Sequence, residues 1–198
     1  DLRLALFGRD HPATATTVHS LAALHHRLGN KRAAREGYLV SLATFKKHLG
    51  AHHPKVAINL NNLARLSEQE ERDAEAAGYY QQAAGILAAA HQDRNPELAR
   101  LKTNMAGFYE KHGRRDLAGE LYREAVRLWE QTPSANPPDR VVTLKNFAAY
   151  LVREGDKSLA ETMRRTAAEI ESRYPLDVEL RTTVDVMELE RAYRRSFQ

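Results

Sequence analysis

The sequence predicts an all-α solenoid of four helix–turn–helix repeats, and three observations predict it. Pro12, Pro54, Pro96 and Pro138 recur at a constant interval of 42 residues. Registered on those prolines, the tenth following position is always alanine: Ala22, Ala64, Ala106 and Ala148. The apolar positions around that alanine, at 6, 9, 10 and 13 after the proline, share one face of a 3.6-residue helix. A fixed period of roughly 20–50 residues marks units that cannot bury their apolar face alone and must stack on neighbours.

Each element follows in chain order. Leu6, Phe7 and Gly8 stand one period before His48, Leu49 and Gly50, so residues 1–8 are expected to be the tail of a truncated upstream repeat. The four repeats are expected at 9–51, 52–93, 94–135 and 136–175. Their first helices (A) are predicted at about 12–28, 54–70, 96–112 and 138–154. Each opens on its proline, which is tolerated in a first turn because its missing N–H would be unpaired there. Asp10, His11 and Asn136 are expected to accept hydrogen bonds from the first free amides.

Seventeen residues after the proline come Gly29, Gly113 and Gly155, read as left-handed residues that close helix A. Glu71 breaks that column, so the second turn should be strained or built differently. The second helices (B) are predicted at about 31–48, 73–91, 115–131 and 157–173. Alanine marks them at Ala34, Ala76, Ala118 and Ala160, and again at Ala83, Ala125 and Ala167, where the first repeat has Ser41. Small side chains there let helices approach to roughly 8–10 Å. Tyr38, Tyr80 and Tyr122 form a further column, from which Arg164 departs. After Tyr174 the register fails, and 176–198 is expected to be a C-terminal capping helix with Leu176, Leu180, Val184 and Met187 on one face.

Composition narrows the function. A net charge of +4 is only mildly basic, and the densest run, Arg191 to Arg195, holds three arginines. That argues against a nucleic-acid partner and tolerates an acidic one. With no cysteine, disulfides, thiolate metal sites and cysteine nucleophiles are excluded. No apolar run approaches the ~18–20 residues of a membrane span, and Asp1 to Gly8 is no signal peptide; a cytoplasmic location without membrane contact is expected. His25 and His26 are adjacent, so they point about 100° apart on a helix. His48 and His52 straddle Gly50, where a helix should end. No metal site is expected. The tyrosine column and Trp129 read as helix packing rather than base stacking. Without a nucleophile–base–acid ordering or a phosphate loop, no enzyme activity and no cofactor are expected.

The pattern resembles the tetratricopeptide repeat (TPR), in the 42-residue variety of kinesin light chains. The run LGAHHPKVAINLNNLARL at Leu49–Leu66 carries the resemblance most closely. FGRDHPATATTVHSLAALHHRLGN at Phe7–Asn30 and YEKHGRRDLAGELYREAVRLWE at Tyr109–Glu130 extend it. The resemblance implies a right-handed superhelix whose A helices line a concave groove. It also implies that asparagines there bond a peptide backbone while cations meet acidic side chains. Carried over, the asparagine column is Asn62, Asn104 and Asn146, with Ser20 in the first repeat. Asn61 and Lys145 precede that column by one residue, and Arg65, Arg100, Lys111 and Arg153 supply charge. An asparagine offers both a donor and an acceptor to an extended strand. The same asparagines could instead bond across neighbouring A helices, and the cations could be a solvated face.

The function expected from this resemblance is a non-catalytic interaction module or scaffold binding an extended acidic peptide. The alternative is a regulatory or sensor segment of a larger kinase, protease or NTPase. Partner identity and oligomeric state are open.

Overall fold

The computed structural model describes residue 8 and residues 10–90, 95–132 and 135–174. Apart from Gly8, the expected upstream tail lies outside them, as does the expected cap at 176–198. Eight helices run through the described residues: α1 Pro12–Arg27, α2 Lys31–Leu49, α3 Pro54–Gln69, α4 Asp73–Ala89, α5 Pro96–Lys111, α6 Arg115–Gln131, α7 Pro137–Arg153 and α8 Lys157–Arg173. They pair as four helix–turn–helix repeats, a TPR-like solenoid fold. The predicted bounds agree to within a residue or two, α7 starting at Pro137 rather than Pro138. Among the described residues two compact units are distinguished, the first ending at Ile86 and the second beginning at Leu87. In the first, α1 packs on α2 and α2 on α3; in the second, α5 packs on α6, α7 on α8, and α6 on α7. Successive A-helices also touch, α1 with α3 and α5 with α7.

Local chemistry sets the helix starts. The ring nitrogen Nδ1 of His11 accepts from the Ala13 amide at 3.1 Å, and that of His53 does the same for Lys55. Asn95 Oδ1 accepts from the amides of Glu97 and Leu98. Each satisfies a first-turn amide that has no partner inside the helix. Two expectations are corrected. Asn136 makes no such cap; its backbone is left-handed (φ 40°) and its amide donates to Asp139 at 2.6 Å. Asp10 pairs with Lys47 and His48 at the end of α2, and those partners lower its pKa, the Lys47 hydrogen bond foremost.

The turns within the repeats share one geometry. Asn30, Arg72, Arg114 and Asp156 each donate an amide to the carbonyl five residues earlier (His25, Ser67, Tyr109, Leu151), at 2.9 Å. The residue before each has positive φ: Gly29 78°, Glu71 59°, Gly113 74°, Gly155 88°. The second turn is therefore built like the others despite Glu71, and its Cβ makes that conformation costly. Side chains around it compensate. Arg35 of α2 donates to Glu70 and to Glu75 at 3.1 Å, and Ser67 donates to Glu75 at 2.9 Å. Burial alone would raise the Glu75 pKa, but Arg35 and Ser67 hold it below the usual carboxylate value.

The alanine columns are buried throughout: Ala22, Ala64, Ala106, Ala34, Ala76, Ala118 and Ala160 are wholly covered, and Ala148 nearly so. Tyr38, Tyr80, Tyr122 and Trp129 are core residues. Burial pushes the Tyr122 hydroxyl up to about 12. Arg164, which departs from the tyrosine column, is exposed. Ser41 replaces alanine for a visible reason: its hydroxyl accepts from the buried Asn59 amide at 2.8 Å and donates to the Tyr38 carbonyl. At the same repeat position as Asn59, Thr143 bonds Trp129 Nε1 at 2.9 Å and the Thr103 hydroxyl at 2.8 Å. In both units a polar A-helix residue thus pins the preceding B-helix, and the donors involved are buried with their acceptors.

Candidate functional site

The A-helices present a recurring strip. Residues 8, 11 and 15 after the proline share one helical face. In the first unit they are Ser20, Ala23 and Arg27 on α1, then Asn62, Arg65 and Gln69 on α3. In the second they are Asn104, Gly107 and Lys111 on α5, then Asn146, Ala149 and Arg153 on α7. All are half-buried or exposed, and those on α7 are all exposed.

In the first unit, the Asn62 amide lies 3.3 Å from His19 Nε2, joining α3 to α1. His26 and Gln69 join the same helices at 3.0 Å. Asn62 therefore does the cross-helix bonding that was one of its two readings. Asn61 is buried, 3% exposed. Arg65 is exposed and meets no carboxylate among the described residues. His26 is partly buried, and that burial is the main cause that depresses its pKa; the Arg65 and Lys31 charges add to it against the Gln69 hydrogen bond.

In the second unit, Arg100 pairs with Glu97 one turn away, and its Nε is covered and unpaired among the described residues. Lys145 reaches Glu171 of α8 at 2.7 Å, and Arg153 reaches Glu110 of α5 at 2.7 Å. Asn104 is half-buried, while Asn146 and Lys111 are exposed. Of the nine predicted residues, Asn62, Arg65, Asn104, Lys111, Asn146 and Arg153 sit on the recurring strip. Asn61 and Lys145 stand beside it, and Arg100 lies half-buried at its N-terminal edge.

Sequence reasoning missed Glu97, Glu110 and Glu171, the carboxylates that already hold three of the predicted cations. One signal was available: His19–Asn62, His26–Gln69 and Glu110–Arg153 are each separated by 43 residues, one period plus one. An acid and a base at that spacing face each other across adjacent A-helices. Among the described residues no group of three or more metal-ligating side chains occurs, and no helix is long and apolar enough to cross a membrane.

Paired helices in 42-residue register, with polar strips on their A-helices, define a helical-repeat protein of the solenoid class. The chain belongs to the tetratricopeptide-repeat family. Two models of that repeat match it, at residues 14–55 and 97–170, together more than half of its length. No curated protein matches it. Among solved structures it is similar to BtubC (BKLC) from P. vanneervenii, at 24% identity and TM-score 0.70, over 87% of this chain and 69% of that one. It is also similar to the nearly identical TPR-like repeats of a kinesin light chain from Podosopora anserina, at 20% identity and TM-score 0.59, over 89% and 83%. A point variant of those repeats gives 20% and 0.61, over 87% and 81%. These likenesses concern the fold. Tetratricopeptide domains generally serve protein–protein interaction.

Proposed function

We propose that this chain is a non-catalytic interaction module that holds an extended, acidic peptide against its A-helix strips. The observation that carries the reading is the strip on α7. Asn146, Ala149 and Arg153 are all exposed at i, i+3 and i+7, next to the half-buried Asn104 on the neighbouring α5. Asparagine can receive and donate along a peptide backbone, alanine leaves room for it, and arginine grips a carboxylate in a forked pair.

The ion pairs refine the electrostatics. Arg153 is already satisfied by Glu110, so a peptide carboxylate must compete with an internal one. Charge then contributes selectivity and encounter rate more than affinity. Lys111 and Arg65, exposed and without a carboxylate among the described residues, are the cations open for first contact.

Selection from a random 12-residue peptide library on the intact chain tests the reading. Binders enriched in Asp and Glu are expected, and Asn146→Ala with Lys111→Ala, both exposed, should weaken them about tenfold or more without changing the unfolding midpoint. Binders without acidic enrichment, or ones that hold the double variant equally well, would contradict it.

A further inference from the structure

One repeat position joins neighbouring A-helices in both units, with different chemistry. In the second unit it holds Glu110 and Arg153, a carboxylate and a guanidinium. In the first unit the same position holds His26 and Gln69, 3.0 Å apart. Two turns earlier on the same face of α1, His19 lies 3.3 Å from Asn62. Both rings border the buried Tyr38 of α2, at centroid separations of 5.5 and 6.1 Å. Their partners Asn62 and Gln69 belong to the α3 strip. Histidine is the side chain whose charge changes near neutral pH, so a titratable seam runs along that strip where its counterpart carries an ion pair.

We propose that the first unit's strip takes up a proton at this seam when it binds an acidic peptide, so that such a peptide binds more tightly as pH falls from about 7.5 to 5.5. The coupling presupposes that the strips receive a peptide and adds its regulation. The contacts fix where the proton goes. An amide oxygen only accepts, so His26 Nε2 donates to Gln69 and the added proton enters at Nδ1. An amide nitrogen only donates, so His19 Nε2 is an acceptor; once protonated, it requires Asn62 to turn its oxygen to the ring and its NH2 group outward. Around His26, the Arg65 charge on α3 and the Lys31 charge on α2 oppose protonation. Glu70, at the end of α3, favours it but is held by Arg35 of α2. On its own helix His25 is buried and Arg27 exposed. Lys31 is committed to the Gln69 carbonyl at 2.7 Å, whereas exposed Arg65 meets no carboxylate among the described residues. A peptide carboxylate seated at Arg65 offsets the repulsion, and the turned Asn62 offers the peptide a further donor. Proton and peptide then favour each other by one common factor. Peptide carboxylates, with ordinary pKa values of about 4, stay ionised over this range.

Calorimetric titration of the full chain with an acidic peptide from the library selection tests the coupling, at both ends of that pH range and in two buffers of different ionisation enthalpy. Affinity about threefold to tenfold higher at the acidic end is expected, with net proton uptake on binding. His19→Gln with His26→Gln should lose most of that ratio, whatever its affinity at the neutral end. Equal affinity at the two pH values, proton release, or a ratio that the double variant keeps overturns the coupling and leaves the peptide reading standing. No binding at either pH overturns both. If the double variant lowers the helix content, the ring resonances of His26 in the unaltered chain decide. Peptide should raise the pH midpoint of their titration; an unmoved or lowered midpoint contradicts the proposal.

Discussion

The two compact units are built on one 42-residue template but are held together by different chemistry. In the first, A-helices are joined by histidine and amide contacts, His19–Asn62 and His26–Gln69, above a half-buried cluster of Arg35, Glu70 and Glu75. In the second, Tyr122 and Phe147 stack at 5.5 Å, Trp129 bonds Thr143, and the exposed joints are ion pairs such as Arg153–Glu110. The repeat therefore fixes backbone geometry and the small-residue columns, while the polar joints between repeats are free to vary. That difference predicts distinct sensitivities: the first unit to the loss of one arginine and to pH, the second to steric changes around its aromatic residues.

The largest effect is expected from Arg35→Met. Arg35 and Glu70 are each 16% exposed at the side chain, and Glu75 34%, and without Arg35 the two carboxylates keep the looser Arg72 contacts at 3.5 and 3.8 Å and, for Glu75, the Ser67 hydroxyl. A loss of about 3 kcal/mol in denaturant unfolding is expected; under about 1 kcal/mol would reduce the cluster to an ordinary surface feature.

In the second unit, a Cβ on Gly119 would lie 2.6 Å from the Tyr150 hydroxyl, which donates to the Arg115 carbonyl at 3.0 Å. Gly119→Ala should cost about 1–2 kcal/mol. The cost should shrink in a Tyr150→Phe background, which removes the 2.6 Å contact but keeps the ring carbons Cζ and Cε1 at 3.1 and 3.2 Å, and an unchanged cost there would place the strain elsewhere.

Glu71→Gly should gain about 0.5–1 kcal/mol by relieving a left-handed backbone. The gain should show as a higher unfolding midpoint with unchanged helix content. Destabilisation would mean that the Glu71 side chain itself supports the turn.

The smallest effect is pH-dependent. His26 has its folded pKa held below the ordinary 6.5, chiefly by burial, so the folded state favours the neutral ring. The unfolded chain then takes up the proton first. The stabilisation is complete above about pH 6.5 and is lost as pH falls through that value and then through the lowered folded pKa. The fall in stability between roughly pH 7 and 5 should be shallower in His26→Gln. Identical pH profiles would remove His26 from the account.

Helix bounds, glycine turns and alanine columns could be read from the chain because each repeats along it and each has a local steric cause. The burial of Asn61 could not be read from the chain. One residue separates it from the strip, and whether a side chain at that edge is covered depends on how the next helix lies against it. Asn136 misled because capping preferences are statistical, and its side-chain amide donates to Asp139 instead. At Glu71 the strain was legible, and the kept turn geometry was not. The strip's cations looked available because a carboxylate partner such as Glu110 is a whole period away, a distance at which local patterns carry no warning.

The central claim is that the A-helix strips receive a peptide. Backbone amide shifts of the labelled chain, titrated with an acidic peptide selected on the intact protein, test it most directly. The account predicts perturbations concentrated at Asn104, Lys111, Asn146, Ala149 and Arg153 and their helical neighbours. Shifts confined to the exposed B-helix surfaces of α6 and α8, with the strips silent, would contradict it.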